Sequence, residues 1–465
     1  MSSTLTHAAS THPNALRDRL LTAGVTTALT ADHSEFEREL TGFNTAVQHR
    51  PPVVVVARSS DDVVTAVRVA AELDLRVTVL GHGHGALAPV VEGIAITTRH
   101  LTSVVVEPAE RTARVAAGTP WSAVLEAAAP HGLAPLCGSA PHVGVVGYLL
   151  GGGLGPVART YGFAADHVRS FRVVTADGRL LHCDADTEPD LFWALRGGKG
   201  GLAVVVEVTL YLVPLAVVQG GGLFWAAEHT AAVLHAFSSW TAALPEHVTP
   251  SLAVLRLPPA PELPEVLRGR FVVHLRVAVV GGPDEAEQLL APMRAVAEPL
   301  LDTVGPLPYA AVGSIHADPV QPMPVVEGGL LLRAFSAEAA DALLAVAGPD
   351  VETPLAAVEL RLLGGAVSRP PTVPNAAGGR DAAYSLHVVG APVPELLPVV
   401  VPAAVAAVFE ALAPWDTGSS QINFVGVAND PARLRRSWSP EVADRLDGVR
   451  AAYDPSGRFP HPARR

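Results

Sequence analysis

The stretch Leu80-Gly81-His82-Gly83-His84-Gly85-Ala86 follows directly on a strand, Arg76-Val77-Thr78-Val79, and sets two histidines among glycines. Glycines that close together lose chain entropy on folding and build no core. Close approach of the backbone to a ligand is therefore the natural reason for Gly81, Gly83 and Gly85. Two further clusters come later, Gly151-Gly152-Gly153-Leu154-Gly155 and Gly197-Gly198-Lys199-Gly200-Gly201. One such cluster alone reads as turn punctuation. Three in order between residues 81 and 201 point to a large cofactor that carries a diphosphate.

Working outward, Val53-Val54-Val55-Val56 reads as a strand, followed by a helix opened by Ser60 with Asp61 and Asp62 in its first turn, where the helix dipole favours negative charge. With the strand at 76–80 this makes residues 53–86 a strand–helix–strand unit. Short strands are expected near 104–106 and 113–116, and a helix over 120–129. Asp177-Gly178 marks a hairpin between 171–175 and 180–183. A helix over 188–195 and an apolar strand over 203–212 complete the first region, and residues 1–50 read as a helical lead-in. Beyond Pro214, Pro-rich loops separate strands (271–280, 358–363) from helices (283–296, 337–347), the texture of a second domain. A last helix spans 440–452.

The glycine clusters do not fit the commoner nucleotide motifs. G-x-G-x-x-G is absent from both 81–86 and 151–156. A phosphate loop ending in Gly198-Lys199 fails because Trp193 stands where its first glycine belongs and Gly200 follows the lysine. His82 and His84 form an H-x-H pair, but zinc needs further ligands and no Cys/His/Asp cluster lies nearby in sequence; no metal is expected.

Composition narrows the class. The chain of 465 residues has 49% hydrophobic and 17% charged residues and a net charge of −12. It is long enough for two or three domains, and it lacks the basic stripe that nucleic acid demands; the Arg464-Arg465 pair is too short to supply one. Two cysteines, Cys137 and Cys183, form no disulfide framework. Met1 to Leu20 lacks the apolar run of a signal peptide. The most apolar segment, Leu396 to Ala413, carries Pro398, Pro402 and Glu410, which argues against a membrane span. A cytoplasmic location, no membrane partner and a monomer or homodimer are expected.

Taken in order, these segments resemble the FAD-linked oxidases of the vanillyl-alcohol-oxidase superfamily, in the berberine-bridge-enzyme-like branch. His84 takes the place of the histidine that ends the family's strand–R-x-G-G-H loop, with Leu80 at the arginine and His82 at a glycine. Ala140-Pro141-His142-Val143-Gly144 through Gly151-Gly152-Gly153-Leu154-Gly155 is similar to C-P-T-V-G-x-G-G-x-x-x-G-G-G-x-G. Arg159-Thr160-Tyr161-Gly162, Asp166-His167-Val168 and Leu191-Phe192-Trp193-Ala194-Leu195-Arg196-Gly197-Gly198 are similar to R-x-Y-G, D-N-I and L-F-W-A-L-R-G-G. Asn423-Phe424 and Tyr453-Asp454-Pro455 resemble the terminal N-Y/F and Y-D-P.

The resemblance implies an α+β, two-domain PCMH-type FAD-binding fold. Residues 1–215 and a returning segment, 416–465, form the FAD-binding domain. Residues 216–415 form a substrate domain of antiparallel sheet backed by helices. It implies FAD bound through Gly81, His82, Gly83, His84, Gly85, Ala86, Ser139, Ala140, Val143, Gly144, Gly147, Tyr148, Gly153, Val204, Val205 and Asn423. It also implies a covalent link from His84 to the flavin. The family's second, cysteinyl link is missing, because Ala140 occupies that position and Cys137 lies three residues upstream. Val143 stands where valine in the family leaves room for dioxygen. The usual G-N-F-G-V-V has become Gly200-Gly201-Leu202-Ala203-Val204-Val205.

Catalytic machinery departs further. The family's proton-abstracting tyrosine is Gln421 here, and a glutamine amide takes up no proton near neutrality. The strand 380–387 supplies substitutes. Alternation puts Ser385 and His387 on one face and Tyr384 and Leu386 on the other. Histidine, with an ordinary pKa of about 6.5, is the favoured base, and Tyr384 is the second candidate. Glu359 and Arg361 share a strand face as substrate-orienting groups or as a structural ion pair. The expected chemistry is oxidation of a small, hydrophobic, secondary-metabolite-like molecule, with hydride passing to flavin N5 and dioxygen reoxidising the flavin to give hydrogen peroxide. The alternatives are an oligosaccharide oxidase, a redox-neutral cyclase-like catalyst, or a flavin carrier.

Overall fold

The computed structural model describes residues 12–427 and 431–463. Residues 1–11 of the lead-in and the Arg464-Arg465 pair lie outside the described residues. The rest of the lead-in forms helices Pro13–Ala23 and Phe36–Leu40 around a two-residue strand, Ala28–Leu29.

Val53–Val56 and Val77–Leu80 lie in one four-stranded sheet, but they are not neighbours. Ile94–Thr97 runs between them, parallel to both. This strand was not read from the sequence. Ile94 to Thr97 is fully buried, as is Val53 to Val56, which is how a parallel sheet covered on both faces reads. The crossover helix Ser60–Glu72 buries Val63, Val64, Val67 and Ala70. Its cap is Ser59 rather than Ser60: the Ser59 hydroxyl accepts from the Asp62 amide, and the Asp62 carboxylate accepts from the Ser59 amide.

A five-stranded sheet stands beside it in the order Val104–Glu107, Thr112–Ala116, Val204–Tyr211, Val168–Val174, Leu180–Cys183, all antiparallel. The Asp177-Gly178 hairpin closes where the sequence places it, with Gly178 at φ 75°. The C-terminal helix Pro440–Tyr453 packs on the helix Pro189–Leu195, and Arg458 reaches carbonyls of Ala70, Leu75 and Ala176.

The third sheet has eight strands between Val217 and Gly390, all paired antiparallel. Four helices, Thr230–Thr241, Pro283–Arg294, Ala337–Ala347 and Val400–Ala411, contribute to an apolar core on one of its faces, with Leu223, Trp225, Leu252, Leu275, Leu360 and Leu386. Val400–Ala411 takes up most of the apolar segment singled out in the sequence. Among the described residues, no helix is long and apolar enough to cross a membrane.

Candidate active site

The other face of the large sheet looks into a cavity of about 2180 Å³. Its opposite wall is built by residues 81–86, by parts of 138–148, and by Lys199, Gly200, Gly201, Ala203 and Val205; Phe43, Asp318 and Phe424 line it as well. A single small-ligand pocket occupies roughly 300–1,000 Å³, so this space is large enough for a large cofactor and a second molecule together.

Of the residues expected to bind flavin, Gly81, His82, Gly83, His84, Gly85, Ala86, Ser139, Ala140, Val143, Gly144, Gly147, Tyr148, Val205 and Asn423 all line the cavity. Gly153 and Val204 do not. Gly153 is at φ 79°, and a Cβ there would collide with the Tyr148 ring; it makes room for a side chain rather than for a ligand. Val204 is fully buried in its strand. Gly83 also has a different reason from the one expected. It is left-handed at φ 73° and presses on the Gly42 backbone, where neither residue has room for a Cβ. That contact, with Phe43 and Asn44 amides donating to the His82 and Gly83 carbonyls, fixes the loop.

The loop's two histidines differ. His82 places Nε2 3.0 Å from the Gly118 carbonyl, which makes that nitrogen a donor. His84 stacks on Phe43 at 4.1 Å and lies 4.7 Å from His142. Both of its ring nitrogens are buried without a hydrogen-bond partner. Burial, with His142 and His82 adding to it, pushes its pKa down to about 3. The ring is neutral, with an unengaged lone pair in the cavity wall. Orphaned buried nitrogens at this point fit a site completed by a bound group, and they fit flavin attachment in particular.

Alternation along the sheet, read through the register, writes two polar rows across the cavity face. Arg276, Ser251, Arg361 and Ser385 lie opposite one another in turn, and His274, Ala253, Glu359 and His387 form the next row. Glu359 binds the rows together. It accepts from Arg276 Nη1 and Ser251 Oγ at 2.8 Å and from Arg361 Nε and Nη2 at 2.9 Å, with His316 Nε2 at 3.4 Å. Burial alone would raise its pKa, but the guanidiniums of Arg361 and Arg276, with His316, hold the carboxyl well below the usual range. Glu359 is thus an anion, unsuited to act as a base. Arg276 Nε donates to His274 Nδ1 at 3.1 Å, and Asp318 accepts from Ser139 at 2.7 Å. His316 is 7% exposed, its pKa is lowered by burial, and its Nδ1 has no partner.

His387 lines the cavity with Nε2 2.8 Å from Glu327 and its ring stacked on Phe424 at 4.7 Å. Lys199 Nζ donates to Asn423 Oδ1 at 2.6 Å, and Asn423 Nδ2 donates to the Tyr148 carbonyl. Tyr384 faces away. Its hydroxyl meets Thr241 at 2.6 Å within the helix-side core, against Phe237 and Phe335, so it does not reach the cavity as a base. Gln421 is 4% exposed and lies outside the cavity lining. It precedes the turn that presents Asn423 and Phe424, and its place in the motif is not a place in the site. Cys137 is also off the lining, with its thiol 3.9 Å from the Tyr309 hydroxyl and pushed up to about 12 by burial.

Sequence reasoning missed His274, Arg276, His316, Asp318 and Glu327, and treated Lys199 only as a failed phosphate loop. His274 and Arg276 left a signal, as alternate polar residues in an otherwise apolar strand. His316, Asp318 and Glu327 sit at a loop and a strand end, and no local pattern marks them.

Comparison with known proteins agrees with this geometry. A family model described as an FAD binding domain matches residues 51–184. The (R)-6-hydroxynicotine oxidase of Paenarthrobacter nicotinovorans is 29% identical over 437 residues, covering 89% of this chain and 90% of that protein. The crystal structure of 6-hydroxy-D-nicotine oxidase from Arthrobacter nicotinovorans superposes with a TM-score of 0.81 at 25% identity, over 94% of this chain and 97% of the other. The glucooligosaccharide oxidase of Acremonium strictum, which carries a 6-S-cysteinyl, 8α-N1-histidyl FAD, shares the fold at TM-score 0.80 and 19% identity, over 97% and 98% of the two chains. The chain thus carries an FAD-binding domain over residues 51–184, has the two-domain PCMH-type fold of these oxidases, and is an FAD-dependent oxidoreductase.

Proposed function

We propose that the chain is an oxidase of a small, ring-bearing organic alcohol or amine, with FAD attached through His84 alone. The observation that carries this reading is the one cavity joining the glycine–histidine loop to the polar face of the large sheet. Bound FAD supplies the acceptor for the hydride that leaves the substrate carbon, and dioxygen takes the electrons on to give hydrogen peroxide.

The chain's own residues do the rest. His387, held by Glu327 on Nε2, presents its remaining nitrogen to take the proton from the substrate oxygen or nitrogen. A carboxylate that orients a histidine in this way fixes its tautomer and stabilises its cation. Arg276 and Arg361 are pinned by Glu359, and they offer their remaining N–H groups to a polar substituent. Beside His274 on the same sheet face Phe224, and farther along it Leu255, Ala357 and Val389, line the cavity with apolar surface. A molecule with one polar end and an apolar ring fits that gradient. The nicotine oxidase relative, matched over nearly its full length, acts on a molecule of this kind by its name. Val143 in the cavity wall supports dioxygen as the acceptor.

The test is anaerobic mixing of the holoprotein with a panel of cyclic amines, phenolic amines and aryl alcohols. A substrate bleaches the flavin absorbance, and admitting air restores it with one equivalent of hydrogen peroxide. If no member bleaches the flavin while oligosaccharides do, the substrate class is wrong. If reduced flavin persists in air, the oxidase reading is wrong.

A further inference from the structure

Lys199 stands among four glycines at φ 63°, a left-handed backbone that strains any residue with a Cβ. Its ammonium lies in the cavity wall where three segments meet. Nζ donates to Asn423 Oδ1 at 2.6 Å, and a Cβ built on Gly85 would lie 3.3 Å from it. An ammonium carries three donors. Among the described residues, Asn423 Oδ1 is the hydrogen-bond acceptor that this ammonium reaches. The carboxylate acting on it through space is Glu327, already engaged by His387, and the other titratable neighbour is His461. Desolvation lowers the Lys199 pKa to about 8, which leaves it chiefly protonated at neutral pH. A strained backbone and a desolvated charge are two penalties at one residue. A neutral side chain would tie down Asn423 without the second.

We propose that Lys199 is a cationic contact for an anionic part of bound FAD. The proposal rests on the FAD-dependent reading above and adds a residue that no family motif supplies. Two parts of FAD would offer negative charge to such a contact: the diphosphate, in both redox states, and the flavin ring, which becomes anionic on taking up a hydride.

Lys199→Met and Lys199→Gly separate these sources. The glycine variant relieves the left-handed position, so it keeps the fold while removing the charge. FAD and ADP affinities are measured in a His84→Ala background, where the cofactor is untethered, and the two-electron potential is measured in the holoprotein. If the contact is to the diphosphate, both variants weaken FAD and ADP roughly ten- to hundredfold and leave the potential in place. If it is to the ring, ADP affinity is unchanged, the sulfite adduct weakens, and a tenfold selective loss of the reduced form lowers the potential by about 30 mV. Unchanged FAD affinity, ADP affinity and potential in both variants would overturn the proposal and leave Lys199 as a tie to Asn423. Failure of the unmodified chain to bind FAD would instead sink the cofactor reading itself.

Discussion

His84 has the chemistry that covalent attachment needs. Its pKa of about 3 leaves the imidazole unprotonated across the physiological range, and neither nitrogen is committed to a neighbour. Acid-precipitated protein should therefore stay yellow, and His84→Ala should release its flavin on denaturation. If native protein releases all of it as well, the bond does not form. Cys137 has the opposite character. It is fully buried, and its thiol, pushed up to about 12, carries no thiolate to attack with. The flavin peptide of Cys137→Ser should match wild type in mass spectrometry, and a lost crosslink would show a second attachment. In the proposed reaction His387, which lines the cavity with Nε2 held by Glu327, is the proton acceptor. His387→Ala should slow flavin reduction by about a hundredfold to ten-thousandfold while reoxidation by dioxygen keeps its rate. Stopped-flow reduction at the wild-type rate would remove His387 from the mechanism. These residues were legible to different degrees. The period of two along 384–387 separated His387 from Tyr384, but alternation does not say which face looks toward the cofactor. Only the helices packed behind the sheet settle that Tyr384 points away.

At the scale of the element, the cavity face of the large sheet is held together by one carboxylate between two guanidiniums. Glu359 is 4% exposed and Arg276 is 7% exposed, so removing the anion leaves two buried cations facing each other. Glu359→Gln should cost about 3–5 kcal/mol of stability, the range for breaking one partner of a buried pair. The pH dependence has a definite sign. The folded carboxyl sits well below its ordinary 4.5, so the unfolded chain binds the proton more readily than the folded one. The stabilisation is whole above that ordinary value and is lost as pH falls toward the depressed folded value. Urea titrations between pH 7 and 3 should show wild type losing stability more steeply than Glu359→Gln; parallel curves would mean the carboxylate is not held as an anion. The sequence displayed Glu359 and Arg361 two apart on one strand and left an ion pair or a substrate contact open. They form the ion pair and line the cavity as well. Arg276 and His316 join them across 83 and 43 residues of chain, and no local pattern encodes such a meeting. The strand Ile94–Thr97 was missed as well, and its place between two earlier strands follows from sheet order, not from the residues themselves.

At the scale of the molecule, the strand that leads into the glycine–histidine loop is held at its start by a segment about 380 residues later in the sequence. Arg458 is 8% exposed and donates to the carbonyls of Ala70, Leu75 and Ala176, while its own carbonyl accepts from the Val77 amide. Asp454 fixes that turn by accepting from the Arg458 and Phe459 amides. The tail thus clasps the start of the strand Val77–Leu80, which delivers the Gly81–Ala86 loop into the cavity. Arg458→Ala strips a charged donor from three carbonyls and should destabilise the protein by about 2–5 kcal/mol. It should also loosen the loop, so that flavin is incorporated incompletely during expression. Arg445 is the contrast. It pairs with Asp190 at the surface and is 50% exposed, so Arg445→Ala should cost no more than about 1 kcal/mol. Thermal melts of flavin-free and flavin-loaded protein separate the two effects, because a bound cofactor stabilises the folded chain by mass action. Arg458→Ala should melt lower than wild type in both forms and gain less from added FAD. If it melts lower yet binds FAD as wild type does, the tail clasps the strand without governing the loop. If it melts with wild type, the clasp contributes nothing measurable, and the loop owes its position to its own contacts, the Gly42–Gly83 packing and the hydrogen bonds of His82 and Gly83 among them.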